Sequence, residues 1–147
     1  MSHFSNSILE PDGPIINVQI AVSAPRRAAL ISAGLAVPTP VMARLLIDTG
    51  ASMTSIDDRF VTALGLQPTG LVQMHTPSTG STAIGVSSYD VELHFTGFGT
   101  SMHTFPSMGV IGCDFSGQSI DGLFGRDALK QSRLIYSGPD NLWMMSF

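Results

Sequence analysis

A chain of 147 residues in which only 12% are charged, with seven basic residues and a net charge of −4, is one domain that can bury about two thirds of its unfolded surface without staples. The usual charged fraction is about 25%. With so few cations the chain has no basic face for duplex nucleic acid and no basic amphipathic helix for a membrane surface. Its single cysteine, Cys113, excludes an intrachain disulfide and a four-cysteine zinc site. No apolar run approaches the roughly 18 residues that cross a bilayer.

Residues 1–14 are polar and read as a mobile N-terminal arm, with one domain over 15–147. The arm lacks the basic region and long apolar run of a secretory signal, so the expected compartment is the cytoplasm, or solution after release from a precursor. Polarity comes from Ser, Thr and 15 glycines with nine prolines, a composition rich in turn formers that suits a β protein. Ile16, Val18, Ile20 and Val22 alternate with more polar residues and predict a half-buried strand. Pro25 to Gly34 predicts a short helix, with proline in its first turn and glycine just past its end. Val41 to Ile47 is an almost wholly apolar strand running into Asp48-Thr49-Gly50-Ala51-Ser52. Asp57 to Gly65 predicts a second helix with two carboxylates at its positive end and Gly65 as its stop.

Leu71–His75 and Ala83–Ser88 flank the small, polar tip Thr76-Pro77-Ser78-Thr79-Gly80-Ser81-Thr82, a hairpin pattern. Tyr89, Val91, Leu93 and Phe95 alternate with Asp90, Glu92 and His94, which places those three on one solvent face. Met102 to Cys113 predicts one or two strands around Pro106. Asp121 to Gly125 precedes a short helix over 126–131. Leu134–Tyr136 and Leu142–Phe147 form a terminal hairpin whose second strand is apolar on both faces. The total is a mostly β domain with two or three short helices.

Asp48 stands out chemically. It ends a strand that is otherwise apolar, and a carboxylate there needs donors, which the amides of the Gly50 turn can supply. Read alone, Asp-Thr-Gly favours a turn cap. His3, His75, His94 and His103 have no metal-ligand spacing, so no metal and no cofactor is expected. Cys113 lies in an apolar stretch and reads as a packed thiol. No Gly-x-Ser-x-Gly elbow and no phosphate loop occurs.

The context of Asp48 adds a resemblance. Leu46-Ile47-Asp48-Thr49-Gly50-Ala51-Ser52 is similar to the active-site loop of aspartic peptidases. Leu123-Phe124-Gly125-Arg126-Asp127-Ala128-Leu129 resembles the second signature of the retroviral type. The two come in the family's order with the hairpin between them, and Phe60 to Gly80 resembles bacterial single-domain members. The resemblance covers about Ile15 to Phe147. It implies a retropepsin-like acid-protease β-barrel, homodimeric, acting as an aspartic endopeptidase on polypeptide substrates, with Asp48 as its catalytic carboxylate. It also implies that Thr49 bridges two active-site loops, and that Pro77, Ser78, Thr79, Gly80 and Ser81 belong to a flap over the substrate. Ser52 stands where the retroviral enzymes carry an acidic residue, so the ion pair made there by the arginine matching Arg126 is not available. A peptidase of this kind needs two carboxylates. The chain holds one Asp-Thr-Gly, and Asp114, Asp121 and Asp127 are not followed by Thr-Gly or Ser-Gly. The expected partner is therefore Asp48 of a second chain. The alternative from another class is a dimeric peptide-binding or assembly module of the same fold with weak catalysis.

Overall fold

The structure, a computed structural model, describes residues 1–8, 11–74, 84–97 and 102–147. Pro77 to Ser81, where the flap was expected, lie outside the described residues. The elements in chain order are β1 (His3–Ser7), β2 (Ile15–Val22), α1 (Ala24–Ser32), β3 (Val41–Ile47), β4 (Ser55–Asp57), α2 (Asp58–Ala63), β5 (Gly70–Met74), β6 (Ile84–Thr96), β7 (Met102–Cys113), β8 (Gly122–Phe124), α3 (Arg126–Leu129), β9 (Arg133–Ser137) and β10 (Leu142–Ser146).

Seven strands run in the order β2-β3-β8-β4-β7-β6-β5. A further pairing of β2 with β6 closes six of them into a barrel and leaves β5 appended to β6. Closure removes two sheet edges that would otherwise be open to other chains. The inward side chains make one core, in which Val18, Ile20, Leu45, Ile56, Leu93 and Phe124 are fully buried. The helices are short and locally specified. The Ser23 side chain accepts from Arg26 N at the start of α1, where Pro25 occupies the first turn. Asp57 caps α2 by accepting from Arg59 N at 2.9 Å, and Gly65, at φ 58°, ends it in the left-handed region that glycine adopts without strain.

Two features depart from the sequence reading. Within the first fourteen residues, His3–Ser7 form a strand rather than part of a free arm. β1 lies antiparallel to β10, and Phe4 is 5% exposed. A single apolar side chain with period-two neighbours was too weak a sequence signal for a strand. Glu92 is not on a solvent face either: it is 2% exposed. β2 docks on β6 so that Ala21 faces Glu92. Arg27 of α1 then donates to Glu92 Oε2 at 2.7 Å, and His94 Nε2 meets the other carboxylate oxygen. A buried carboxylate needs such partners; His94 lies on the same strand, while Arg27 comes from α1, 65 residues away in sequence.

β10 is the middle strand of a three-stranded sheet, β1-β10-β9. Trp143 and Met145 are buried, while Met144 on the opposite face is 41% exposed, so within one chain only one face is fully covered. Aromatic rings tie this sheet to the barrel. Phe95 meets Phe4 at 6.0 Å and Phe124 at 5.5 Å in edge-to-face geometry, and Phe147 stacks on His103 at 4.0 Å.

Two outcomes follow from this packing. Phe4→Ala should cost about 3–5 kcal/mol, the range for an aromatic truncated in a core, read as a lowered urea midpoint; a free arm would leave the midpoint unchanged. Burial pushes the His103 imidazole below its ordinary value. The unfolded chain then binds the proton more readily than the folded one, so this contribution is complete above the ordinary histidine range and is lost as pH falls through it. Chemical denaturation from about pH 7.5 down to about pH 5 should show His103→Phe losing less stability than the parent chain.

Candidate active site

Asp48 sits where β3 ends. β3 and β8 pair in parallel, Leu45 opposite Gly122 and Ile47 opposite Phe124. Parallel pairing brings both strands to their carboxyl ends on the same side, so Asp48 and Gly125 emerge together although 77 residues separate them in sequence. Asp48 N–H donates to Phe124 O at 3.0 Å, and Gly50 N–H donates to Asp48 Oδ1 at 2.8 Å. The turn amide expected from sequence is therefore in place. Asp48 itself is half-buried, and Thr49 and Gly50 are exposed.

The rest of the loop is stitched to the second signature. Arg126 N–H donates to Ala51 O at 2.9 Å. The Arg126 guanidinium donates to Thr49 O and Gly50 O at 2.9 and 3.0 Å. With serine at position 52, the arginine holds the loop through backbone carbonyls rather than through a carboxylate. Asp127 accepts the Thr54 hydroxyl at 2.8 Å and Thr54 N–H at 3.0 Å. The Thr54 hydroxyl in turn accepts from Gly125 N–H at 3.1 Å. The two segments touch so closely that a Cβ on Gly125 would lie 2.5 Å from the Met53 carbonyl carbon. Glycine is required there by contact, not by backbone angle.

A cleft of about 590 Å³ opens beside Asp48. Its lining includes Ala51, Met53, Val72 and Met74, together with Ser55, Ile111 and Leu123 on the paired strands β4, β7 and β8. Among the described residues Asp48 is the only carboxylate lining it. The three aspartates weighed as internal partners are occupied elsewhere. Asp127 holds Thr54, Asp121 accepts from Arg44 N–H and meets Arg59, and Asp114 accepts from Ser116 N–H, the Ser116 side chain and then that N–H holding its carboxyl below the usual range.

Residues 37–128, more than half of the chain, match the model of the family described as aspartyl protease. This chain belongs to the aspartyl protease family. The matched span contains both the Asp48 loop and Leu123, Phe124, Gly125 and Arg126. Among solved structures, a retropepsin-like aspartic protease from Rickettsia conorii is similar over 97% of this chain and 89% of its own, at 14% identity and a TM-score of 0.58, which establishes a retropepsin-like fold. The retroviral protease-like domain of Ddi1 from Leishmania major aligns over 88% of this chain and 86% of its own, at 14% identity and a TM-score of 0.41. No curated protein matches the sequence.

For this member of the protease family, the structure brings Asp48, Thr49, Gly50, Ala51 and the second signature into one site. Thr54 and Ser55 were not legible as site-forming residues, because their partners, Gly125, Asp127, Ile111 and Leu123, are distant in sequence and leave no local pattern. Cys113, read as a packed thiol, is half-buried and lines the cleft with Asp48. Burial, and then the nearby Asp58 carboxylate, raise its thiol above the ordinary value. A reagent that needs the thiolate should therefore react more slowly than with a free thiol at neutral pH, and faster as pH rises. A statine-containing peptide seated in the cleft should protect Cys113 from iodoacetamide by about tenfold or more, given that such ligands bury most of the surface they contact. Unchanged alkylation with the peptide bound would place Cys113 outside the ligand-covered surface.

Proposed function

We propose that this protease-family chain is an aspartic endopeptidase whose active unit is a homodimer, with Asp48 from each chain flanking one water. The observation that carries the reading is the solitary Asp48 carboxylate at the cleft, with its Gly50 amide donor and with Asp114, Asp121 and Asp127 engaged elsewhere. One carboxylate takes a proton from the water as it attacks the peptide carbonyl; the other, protonated, polarises that carbonyl and then protonates the leaving nitrogen. Two carboxylates about 3 Å apart do not both ionise readily, so the pair keeps one proton and titrates as a unit. Asp48→Asn removes the base and leaves the loop its hydrogen-bond acceptor.

In this reading Thr49 of each chain bridges the paired loops, Gly50 and Ala51 shape the backbone beside the substrate, and Pro77 to Ser81 close over it and exclude water. Arg126 keeps Thr49 and Gly50 in position from behind, and the substrate is a polypeptide laid along the cleft.

Subunit mixing tests the shared site. An Asp48→Ala chain paired with a parent chain leaves one carboxylate, which cannot fill both roles. Loss of a repelling charge does not weaken pairing. After exchange to equilibrium, verified with differently tagged chains, activity on an unfolded protein should follow the square of the parent fraction. At equal amounts that is about one quarter of the starting activity, given random two-fold pairing. A linear decline despite demonstrated exchange contradicts the two-chain dyad.

A further inference from the structure

Ser55 lines the cleft beside Asp48 from the strand surface of β4. It pairs with Ile111 on β7 and with Leu123 on β8, and all three residues line the cleft beside Asp48. Ile56, the next residue of β4, is fully buried in the barrel core, so strand alternation turns Ser55 to the opposite face, toward the cleft. Ser55 is 3% exposed, and its hydroxyl oxygen is buried without a hydrogen-bond partner among the described residues. Its flanking neighbours on that face, Ile111 and Leu123, carry no polar side-chain atom. A buried hydroxyl left unpaired costs stability, and an apolar group of similar size would not. Serine is thus an expensive choice for this position unless something entering the cleft completes its hydrogen bond.

We propose that Ser55 is a specificity-determining residue: beside Asp48 the cleft selects a substrate side chain that carries a hydroxyl or carboxamide on a short stem, paired with the Ser55 hydroxyl. This rests on the reading of the chain as a peptidase. Ala51, Met53, Val72, Ile111 and Leu123, which line the cleft with Ser55, enclose the stem, and the Ser55 hydroxyl turns outward to meet its tip. A serine hydroxyl both donates and accepts, and one χ1 step between staggered positions re-aims it without moving the backbone. An apolar side chain of the same shape fills the same space but leaves Ser55 unpaired in a site now sealed from water. That asymmetry is the source of discrimination by buried polar groups.

The test uses binding as well as cleavage. Peptides whose scissile amide is reduced to CH2–NH are made in pairs that differ only by Thr against Val, or Asn against Leu, at each of three positions on either side of the reduced bond. Calorimetry with the full chain should show one position at which Thr and Asn bind about tenfold more tightly than Val and Leu, the worth of one well-made hydrogen bond. Ser55→Ala should abolish that preference, bind the Val peptide at least as well, and melt no lower than the parent. Ser55→Thr, which keeps a hydroxyl, should retain the preference. A preference unchanged in Ser55→Ala, or no such position in the parent, overturns the inference. Cleavage separates this from the peptidase reading. Parent chain that hydrolyses the unreduced peptides without a Ser55-dependent preference removes the inference alone. Parent chain that binds with that preference and never cleaves sinks the enzyme and leaves Ser55 as a selector of ligands.

Discussion

The site depends on one parallel strand pair. β3 and β8 lie side by side only because β8 returns to the barrel after a long excursion through β4 to β7, and that return puts the Asp48 loop against Gly125, Arg126 and Asp127. A loop of this kind has more backbone polar groups than its own turn can satisfy, and each one buried without a partner costs stability. Here the partners come from one short segment: Phe124 O receives Asp48 N–H, Arg126 covers Thr49 O, Gly50 O and Ala51 O, and Asp127 holds both donors of Thr54. Among the described residues the carboxylate of Asp48 thereby accepts a single hydrogen bond from its own loop, that of Gly50 N–H. A group spared from structural work in this way is available for chemistry.

The long elements were legible because their periodicity is local. β2, β3, the β5–β6 hairpin and the β9–β10 hairpin follow from alternation and turn residues, and the helix limits follow from Pro25, Asp57, Gly34 and Gly65. β4 and β8 were not read as strands. Each has three residues, too few for a period, and each exists because neighbours on both sides supply hydrogen bonds. The same reason hid Thr54 and Ser55, and hid what Asp127 holds. Asp48 was legible because a carboxylate at the end of an apolar strand is out of place unless it has a use, and the position of Arg126 was legible through the second signature. What Arg126 touches was not, since backbone carbonyls leave no mark in a sequence.

Glu92 shows how barrel closure rewrites a surface. Its place in an alternating sequence predicts an outward side chain, yet the β6–β7 register shifts between Val91 and Leu93, β2 pairs alongside, and the buried carboxylate is met by a partly exposed Arg27. The polypeptide between β2 and β3 is different in character: Ile31 in α1 and Leu35 and Val37 beyond it are exposed, and Leu30 is its buried hydrophobic residue.

The terminal sheet bears on how copies of this chain could meet. β10 has β1 on one side and β9 on the other, so its backbone donors and acceptors are already used within one molecule. Strand exchange through β10 would first require β1 to be peeled away and Phe4 drawn out of the core. A sheet completed in this way makes folding a property of the single chain and makes any association a later, rigid docking of finished surfaces. For a site shared between two chains, concentration then becomes the control: dilute chains stay folded and intact while their active sites come apart, and the loss is reversed by crowding them together again.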